Sequence, residues 1–471
     1  MSPAAPKWEP KHAWAKLERE NLPKRAPAQR IADYEEIHQS FDEATVREQA
    51  SRCLTCPNPV CVQGCLLNNR IPEWLALAAE GQFIEAARVS LATSNMPEIC
   101  SRLCPQDRLC EGACILNGPS EPVPIGAIER FIHDYAFVHG AIHIHPALPN
   151  GRRVAVVGSG PGGLACADEL AKLGYAVMVY DAHPVPGGLL MNAIPSFRLS
   201  KEVVRQRVEI LRQRGVEFKL GVKLGRDLSL AELQRANDAV FLAIGAHKPR
   251  PLDVPGADLK GVYQAMHFLT QIHSPTPPGN GPIAIEGRRV AVLGGGDTAI
   301  DCLRTAIRCK AREVTCLYRR DYANVPCNRR DYEDALEEGT TFLFLTLPVG
   351  LVGNLDGDVT HIRCVRTELG EPDAGGRLTP RPIPGSEFEV PADLVVVAYG
   401  FDPVPLPAQS DLGAIAVGDN GAVIVDSHQM TSTAGIFAGG NLVRRRSLVG
   451  EAVLDGRRAA AGIHQFLLAR R

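Results

Sequence analysis

The sequence predicts a multidomain protein of the α plus α/β class, with a helical N-terminal domain followed by two Rossmann-like dinucleotide-binding units. Two observations support this prediction. Eight of the 14 cysteines lie before Pro149, in a region with few strand-like runs. A series of apolar run, glycine-rich turn, helical pattern and second apolar run begins at Arg152 and again at Arg288. The 471 residues are enough for about three such domains.

The composition is that of an ordinary enzyme, with 45% hydrophobic and 22% charged residues. A formal charge of -2 gives no basic field that would favour nucleic acid or an anionic membrane, so we expect neither as a partner. The sequence shows no secretory pattern at its start and no apolar run of about 18 residues, which predicts a cytoplasmic protein. In a reducing cytosol, clustered cysteines indicate metal or redox chemistry rather than disulfides.

The N-terminal region is predicted to be helical, because EATVREQASRC and EWLALAAEGQFIEAARVSLAT carry apolar residues at three- and four-residue spacing. Two compact cysteine groups, CLTCPNPVCVQGC and CSRLCPQDRLCEGAC, lie at the ends of these helices, and their members are Cys53, Cys56, Cys61, Cys65, Cys100, Cys104, Cys110 and Cys114.

Eight thiolates would serve two 4Fe-4S clusters, with ligands exchanged between the groups as in two-cluster ferredoxins. Two structural zinc sites are the alternative, but such sites normally contain two CxxC pairs, and here only Cys53 and Cys56 form one. The remaining cysteines are isolated, so we assign them no chemistry; they are Cys166, Cys302, Cys309, Cys316, Cys327 and Cys364.

The first dinucleotide unit carries the fingerprint GSGPGG, with Gly158, Gly160 and Gly163 in the three glycine positions. Such a turn between strand and helix brings backbone N–H groups to a pyrophosphate. The second strand of the unit ends at Asp181, whose carboxylate would accept ribose hydroxyls and repel a 2′-phosphate. This unit therefore suits FAD or NAD.

The second unit carries Gly294, Gly295 and Gly296, followed by Asp297 and Thr298, with Ala299 in the third glycine position. Its second strand ends in Arg319 and Arg320, where no acid is present. Arginine at this place can pair with a 2′-phosphate, which predicts NADPH as the ligand. A solvated arginine pair is the alternative interpretation.

One site for NADPH and one for an unphosphorylated dinucleotide together predict hydride transfer from nicotinamide to FAD. No serine elbow, HExxH helix or Walker loop supports a different chemistry. We therefore expect no catalytic side chain, because the reaction takes place between bound cofactors.

The chain resembles the family of the small (β) subunit of NADPH-dependent glutamate synthase along nearly its whole length. The two cysteine groups, the segment from VAVVGSGPGG to IPSFRLSK, LGGGDTAIDC with its following YRR, and the terminal IFAGGN account for the resemblance. The family implies an α-helical ferredoxin-like domain joined to an adrenodoxin-reductase-like flavoprotein. It also implies an FMN-containing large (α) subunit as partner, hence a hetero-oligomer.

The resemblance divides the chain into an iron–sulfur domain over residues 1–149, a discontinuous FAD domain over 150–280 and 401–471, and an NADPH domain over 281–400. It implies an NADPH-oxidising enzyme that passes electrons from FAD through two 4Fe-4S clusters to the large subunit, where L-glutamate is made from L-glutamine and 2-oxoglutarate. An NADPH:ferredoxin transhydrogenase subunit, another accessory reductase and a non-catalytic assembly subunit are the alternatives.

The resemblance also implies residue roles. The implied FAD contacts are Gly158, Gly160, Gly163, Asp181, Gly188, Leu189, Arg198, Gly440 and Asn441, and Arg319 and Arg320 are implied to hold NADPH. Related flavoproteins commonly have Gly-Asp where this chain has Gly440-Asn441.

Similarity to the cysteine-rich domain of dihydropyrimidine dehydrogenase implies that Cys53, Cys56, Cys61 and Cys114 share one cluster. The same similarity gives the other cluster Cys65, Cys104 and Cys110, with Cys100 favoured over Glu129 as fourth ligand.

Overall fold

The computed structural model describes residues 10–140, 142, 144, 146–278, 281–373, 376–404, 406, 411–444 and 447–470. The α-helices in this part of the chain are α1 Pro27–Arg30, α2 Glu43–Ser51, α3 Val60–Gly64, α4 Ile71–Ala79, α5 Phe83–Thr93, α6 Pro97–Leu103, α7 Ile125–Val138, α8 Pro161–Lys172, α9 Leu189–Asn192, α10 Lys201–Gln213, α11 Leu230–Ala236, α12 Ala265–His273, α13 Asp297–Arg308, α14 Arg329–Glu337, α15 Asn441–Arg444 and α16 Val449–Leu468. No helix among the described residues is both long and apolar enough to cross a bilayer.

The β-strands in the same part of the chain are β1 Arg153–Val157, β2 Ala176–Asp181, β3 Glu217–Leu220, β4 Ala239–Leu242, β5 Lys248–Pro249, β6 Val262–Gln264, β7 Arg289–Leu293, β8 Glu313–Leu317, β9 Thr341–Leu343, β10 Thr346–Gly353, β11 Val359–Pro372, β12 Leu378–Pro382, β13 Phe388–Pro391, β14 Leu394–Val397, β15 Phe401–Asp402 and β16 Ile436–Ala438.

The N-terminal domain is a set of helices in which α2, α4, α5 and α7 share one apolar core, whereas Ile99 and Leu103 of α6 pack in the core of the first α/β unit. Trp74 of α4 is fully buried in the core that the helices share, together with side chains from α2, α5 and α7. Helix α2 begins at Asp42, whose carboxylate accepts a hydrogen bond from Thr45 N at 2.8 Å and so caps an otherwise unpaired N–H group. The cysteine-bearing segments lie at the ends of α2, α3 and α6.

The first α/β unit contains a parallel sheet in the order β16-β4-β1-β2-β3. Its central strands β1 and β4 are almost continuously buried, as expected of a sheet covered on both faces. Strand β16 comes from the end of the chain and extends this sheet beside β4. The first unit is therefore interrupted in sequence by the second.

The second α/β unit contains a parallel sheet in the order β6-β14-β7-β8-β9. Strand β6 pairs with β14, so the second sheet already includes residues 262–264, before the predicted boundary at residue 281. That boundary lies in the proline- and glycine-rich stretch after His273. It follows α12, the crossover helix between β6 and the glycine turn of the second unit, and therefore marks a connection inside the unit.

An antiparallel layer is inserted between β9 and β14 of the second unit. Strand β11 pairs with β10 on one side and with β13 and β12 along its length. A short antiparallel pair, β5 with β15, joins the chain segments that follow β4 and β14.

The segment of residues 24–42, here called the N-terminal strap, crosses both α/β units. Arg30 is fully buried and donates to Glu338 beyond α14, with 2.9 Å between Nε and Oε1. Ile37 N donates to Phe197 O at 3.2 Å. Glu36 accepts from Ser200 N at 2.8 Å and from Arg102 of the helical domain at 2.9 Å. The N-terminal strap thus forms hydrogen bonds with the helical domain and with both α/β units.

Candidate functional site

The first cysteine cavity joins residues that are distant in sequence. Cys53 follows α2, Cys61 lies in α3 and Cys114 lies more than fifty positions further along, yet these three thiols and Cys56 line one cavity. Its other walls are apolar and include Leu54 and Ile115. This is the set that the resemblance assigns to one cluster.

Two members of the second cysteine group lie within α6 and directly after it. Cys100 lies inside the helix and is buried, and Cys104 follows its last residue. Cys65, Cys100 and Cys110 all lie close enough to Cys104 to interact with it electrostatically. The eight cysteines therefore fall into two sets of four.

The chemistry of both sets fits a cationic iron–sulfur cluster. Burial raises the pKa of Cys53 to about 11, of Cys61 to about 12 and of Cys65 to about 11, and neighbouring thiols reinforce each shift. Four adjacent thiolates in such surroundings need positive charge between them, which iron supplies. Within the described ranges, no three His, Cys, Asp or Glu side chains are close enough together to hold a single metal ion.

Glu129 of α7 lies beside the second cysteine group, so both candidates for the fourth ligand are present. Its Oε1 accepts from Asn69 Nδ2 at 2.9 Å and from Ser90 Oγ at 3.1 Å. Burial raises the pKa of the Glu129 carboxyl to about 8. Glu129 is thus already bonded to protein groups, whereas Cys100 lies beside the other thiols of the set.

The first glycine turn leaves space for a ligand at one position only. A side-chain carbon at Gly158 would lie 2.3 Å from Ala243 O, and one at Gly163 would lie 1.8 Å from Gly158 O. At Gly160 the same carbon would meet no protein atom within 4 Å. Two glycines thus allow the close packing of strands and helix, and the third leaves open the side that a pyrophosphate would approach.

Asp181 lies at the end of β2 and is buried, where it supports the glycine turn. Its Oδ2 accepts from Ser159 N at 2.7 Å and from Ser159 Oγ at 2.5 Å. Ser159 Oγ in turn accepts from Gly187 N at 3.0 Å. The sequence analysis missed Ser159, which occupies the variable position of GxG, because its role depends on two segments brought together by folding.

Gly188 and Leu189 enter the same site from the start of α9. Gly188 has a φ of 54°, and a side-chain carbon there would lie 2.8 Å from Gly160 Cα, so this segment lies directly over the first turn. Leu189 packs against the apolar core of the second unit. These two residues lie where the two α/β units meet.

Arg198 lies in a different environment from the implied flavin contact. Its Nη1 is 2.9 Å from Asp301 Oδ1 of α13, and its Nη2 is 2.8 Å from Asp331 Oδ2 of α14. The two carboxylates keep the pKa of the guanidinium above its usual range despite burial. The structure assigns Arg198 to an ion pair between the units, and its contact with FAD stays a prediction.

Gly440 and Asn441 form the turn between β16 and α15, at the same sheet edge as the first glycine turn. Gly440 has a φ of 66°, and its N–H donates to Asp455 Oδ2 of α16 at 3.0 Å. Asn441 Oδ1 accepts from Ser447 Oγ, which leaves the amide NH2 of Asn441 as a donor for a ligand.

The second glycine turn has the same construction. A side-chain carbon at Gly294 would lie 2.6 Å from Ala398 O, one at Gly295 would lie 2.8 Å from the Tyr318 ring, and one at Gly296 would meet no protein atom within 4 Å. Asp297 and Thr298 begin α13, and Asp297 Oδ1 accepts from Asn328 N at 2.9 Å. Cys316, to which the sequence analysis assigned no chemistry, donates its thiol to Gly294 O at 3.1 Å and so supports this turn.

Arg319 and Arg320 have different environments at the end of β8. The Arg319 side chain is exposed and lies near Tyr399, which follows β14. Arg320 is buried, and its Nε donates to Leu378 O of β12 at 2.6 Å. Arg319 is therefore available to a nucleotide phosphate, whereas Arg320 fastens the antiparallel layer to the second sheet.

Comparison with known proteins gives two family matches. Residues 30–141 match the model of dihydropyrimidine dehydrogenase domain II, 4Fe-4S cluster, and residues 152–456 match pyridine nucleotide-disulphide oxidoreductase. Among solved structures, FprA of Mycobacterium tuberculosis, also known in complex with NADPH, superposes with a TM-score of 0.58 at 22% identity over 68% of this chain and 85% of its own. That likeness concerns the fold, which is adrenodoxin-reductase-like.

Full-length relatives give the more specific result. The glutamate synthase [NADPH] small chain of Escherichia coli (strain K12) is 44% identical over 96% of this chain and 98% of its own. The small chain of Azospirillum brasilense is 45% identical over 95% of this chain and 94% of its own. AegA of Escherichia coli (strain K12), described only as an oxidoreductase, is 43% identical over 93% of this chain but 68% of its own length. Two domain matches and likeness along almost the whole length lead to one conclusion: this chain belongs to the family of the glutamate synthase [NADPH] small chains.

Proposed function

We propose that this chain is the NADPH-oxidising electron-input subunit of a glutamate synthase. It takes hydride from NADPH onto FAD and passes electrons through two 4Fe-4S clusters to a large subunit that carries FMN and makes L-glutamate from L-glutamine and 2-oxoglutarate. The observation that supports this most strongly is the combination of two four-cysteine sets with two glycine turns whose strand ends differ, Asp181 in one and Arg319 in the other.

The glycine turns account for nucleotide binding. Gly160 and Gly296 are the N-caps of α8 and α13 and have open space beside them, so each helix start can hold a pyrophosphate. We expect the Asp181 carboxylate to accept a ribose hydroxyl in the first unit, and the Arg319 guanidinium to pair with the 2′-phosphate in the second.

FAD supplies the conversion of a two-electron hydride into single electrons, and the protein's part is to position the two ligands and exclude water. Leu189, at the start of α9 in the FAD unit, packs against the apolar core of the second unit and so lies where the two units meet. The cysteine sets then hold the groups that receive single electrons.

A cytoplasmic location and a hetero-oligomer with the large subunit belong to the same proposal. Both rest on the family relationship. They also rest on a missing activity, since the sequence shows no group of residues for glutamine hydrolysis beside the two α/β units. The domain limits of the sequence analysis are proposed with one change, the second unit beginning before Val262.

A reductase that serves a different acceptor is the second candidate. Its support is the 43% identity to AegA, which matches almost all of this chain but carries additional sequence of its own. The two candidates share the NADPH, FAD and cluster steps and differ only in the protein that accepts the electrons.

The test is made on protein purified anaerobically. NADPH should bleach the flavin absorbance, iron analysis should give about eight irons per chain, and glutamate should form when the large subunit, L-glutamine and 2-oxoglutarate are added. Bleaching without glutamate formation, combined with reduction of an added ferredoxin, would establish the second candidate. Protein that contains FAD but does not respond to NADPH would contradict both.

A further inference from the structure

Asp455 is a buried carboxylate outside the residues discussed so far as cofactor contacts. It lies in the second turn of α16, with its side chain completely buried. A buried carboxylate costs several kcal/mol unless nearby groups compensate for its charge, so its partners indicate what it does.

Within the described part of the chain, the partners of Asp455 lie between Gln429 and Arg444, on either side of β16. Its Oδ2 accepts from Gly440 N at 3.0 Å and from Arg444 Nε at 2.7 Å. Its Oδ1 accepts from Arg444 Nη2 at 2.8 Å and from Gln429 Nε2 at 3.2 Å. The carboxylate thus fixes both ends of the turn that contains Asn441.

Glycines bring α16 close to this turn and to the first fingerprint. A side-chain carbon at Gly439 would lie 2.9 Å from Asp455 Cβ, and one at Gly456 would lie 2.2 Å from Gly162 O. Helix α16 therefore packs tightly on α8 and on the turn after β16. The Asp455 carboxylate accepts charge-assisted hydrogen bonds within that contact.

The start of the same helix contacts the helical domain. A side-chain carbon at Gly450 would lie 3.1 Å from Leu66 Cδ1 and 3.7 Å from Cys104 Sγ, a member of the second cysteine set. One helix thus contacts the predicted flavin turn through Asp455 and the second cysteine set through its first turn.

We propose that Asp455 is a positioning residue for electron transfer, which holds the Gly440-Asn441 turn on the helix that packs against Cys104. The inference rests on the proposed function. Asp455 takes no part in the chemistry itself: it fixes the separation of the flavin-binding turn from the thiol set, and the rate of electron transfer depends steeply on such a separation.

The experiment compares Asp455→Ala and Asp455→Asn with the wild type and with a control, Asp419→Asn, which changes an exposed carboxylate of the same region. All proteins are purified anaerobically with FAD and clusters. Stopped-flow absorbance separates flavin bleaching by NADPH from the later transfer of electrons to the clusters. Hydrogen exchange of the segment 436–444 measures directly whether the turn is held.

In Asp455→Ala we expect Gly440 and its neighbours to exchange roughly tenfold faster, and electron transfer to the clusters to slow by roughly tenfold or more. The bleaching rate at saturating NADPH should stay close to that of the wild type. Asp455→Asn, which keeps an acceptor for Gly440 N but loses the charge pair, should give intermediate values. Asp419→Asn should change none of them.

Unchanged exchange and unchanged transfer in Asp455→Ala would overturn the proposal. So would an equal slowing of bleaching and transfer, because a general loss of structure affects both steps alike. Failure of the proposed function itself gives a different result, since the wild-type protein would then not bleach with NADPH.

Discussion

Arg198 and Asp301 form a buried ion pair between the two α/β units, with Nη1 at 2.9 Å from Oδ1 and 3.0 Å from Oδ2. Asp331 completes the pair on the other side of the guanidinium. Because burial disfavours the charged carboxyl, the pKa of Asp301 is raised to about 6 although Arg198 opposes the shift. The positive charge of Arg198 thus compensates the buried negative charges of Asp301 and Asp331.

Arg198→Ala should therefore lower the free energy of unfolding by about 3–5 kcal/mol, because two buried carboxylates lose their counter-charge. Urea unfolding followed by circular dichroism measures the loss. Adding Asp301→Asn to Arg198→Ala should recover part of it. An Arg198→Ala midpoint equal to that of the wild type would contradict the assigned role of the pair.

Gly160→Ala and Gly163→Ala should separate ligand binding from folding. The added methyl of Gly160→Ala meets no protein atom, so the urea midpoint measured without FAD should stay near the wild-type value while FAD affinity falls. Gly163→Ala places a carbon 1.8 Å from Gly158 O, so the fold itself should be lost or strongly destabilised. Tight FAD binding by Gly160→Ala would show that no pyrophosphate passes this position.

Arg319→Ala and Arg320→Ala should have different effects. Loss of the exposed Arg319 should weaken NADPH binding by about 1.5–3 kcal/mol, the range for a charge-assisted hydrogen bond, and leave NADH unchanged. Loss of the buried Arg320 should lower stability and weaken both nucleotides equally. Titrations with NADPH and NADH decide the matter, and equal losses of the two nucleotides in Arg319→Ala would count against a phosphate contact.

Cys100→Ser and Glu129→Gln test the fourth ligand of the second cysteine set. We expect Cys100→Ser to reduce the iron content from about eight to about four per chain, and Glu129→Gln to keep about eight. Cys166→Ser is the control, since Cys166 is buried in the core of the first α/β unit. Retention of all irons in Cys100→Ser together with their loss in Glu129→Gln would assign the position to Glu129.

His273 predicts a pH dependence. Burial, reinforced by the charges of Lys201 and Arg308, lowers the pKa of His273 to about 3. The unfolded chain binds this proton below about pH 6.5 and the folded chain does not, so stability is lost as the pH falls from 6.5 towards 3. Between pH 7.5 and 5 this histidine accounts for about 2 kcal/mol.

His273→Gln keeps a polar partner for Thr305 Oγ1, which lies 2.8 Å from His273 Nε2, but does not titrate. Its unfolding free energy should therefore fall less between pH 7.5 and 5 than that of the wild type. Parallel pH profiles of the two proteins would rule out the shift.

The sequence predicted features that depend on local pattern. The glycine turns, the strand ends at Asp181 and Arg319 and the cysteine spacing are readable because each follows from a few adjacent residues. Arg198 and Arg320 were not readable, since their partners Asp301 and Leu378 lie 103 and 58 positions away. Asp455 carries no motif at all, and only the folded turn after β16 reveals it.

The N-terminal strap has a consequence for how the protein is made. Arg30 pairs with Glu338, which lies 308 residues later in the chain. The guanidinium of Arg30 therefore emerges from the ribosome long before the carboxylate of Glu338. Because domains fold as units and the N-terminal one first, the cysteine sets can receive their iron while the strap is still solvated. The strap can therefore close on the second unit only after residues up to Glu338 have been translated.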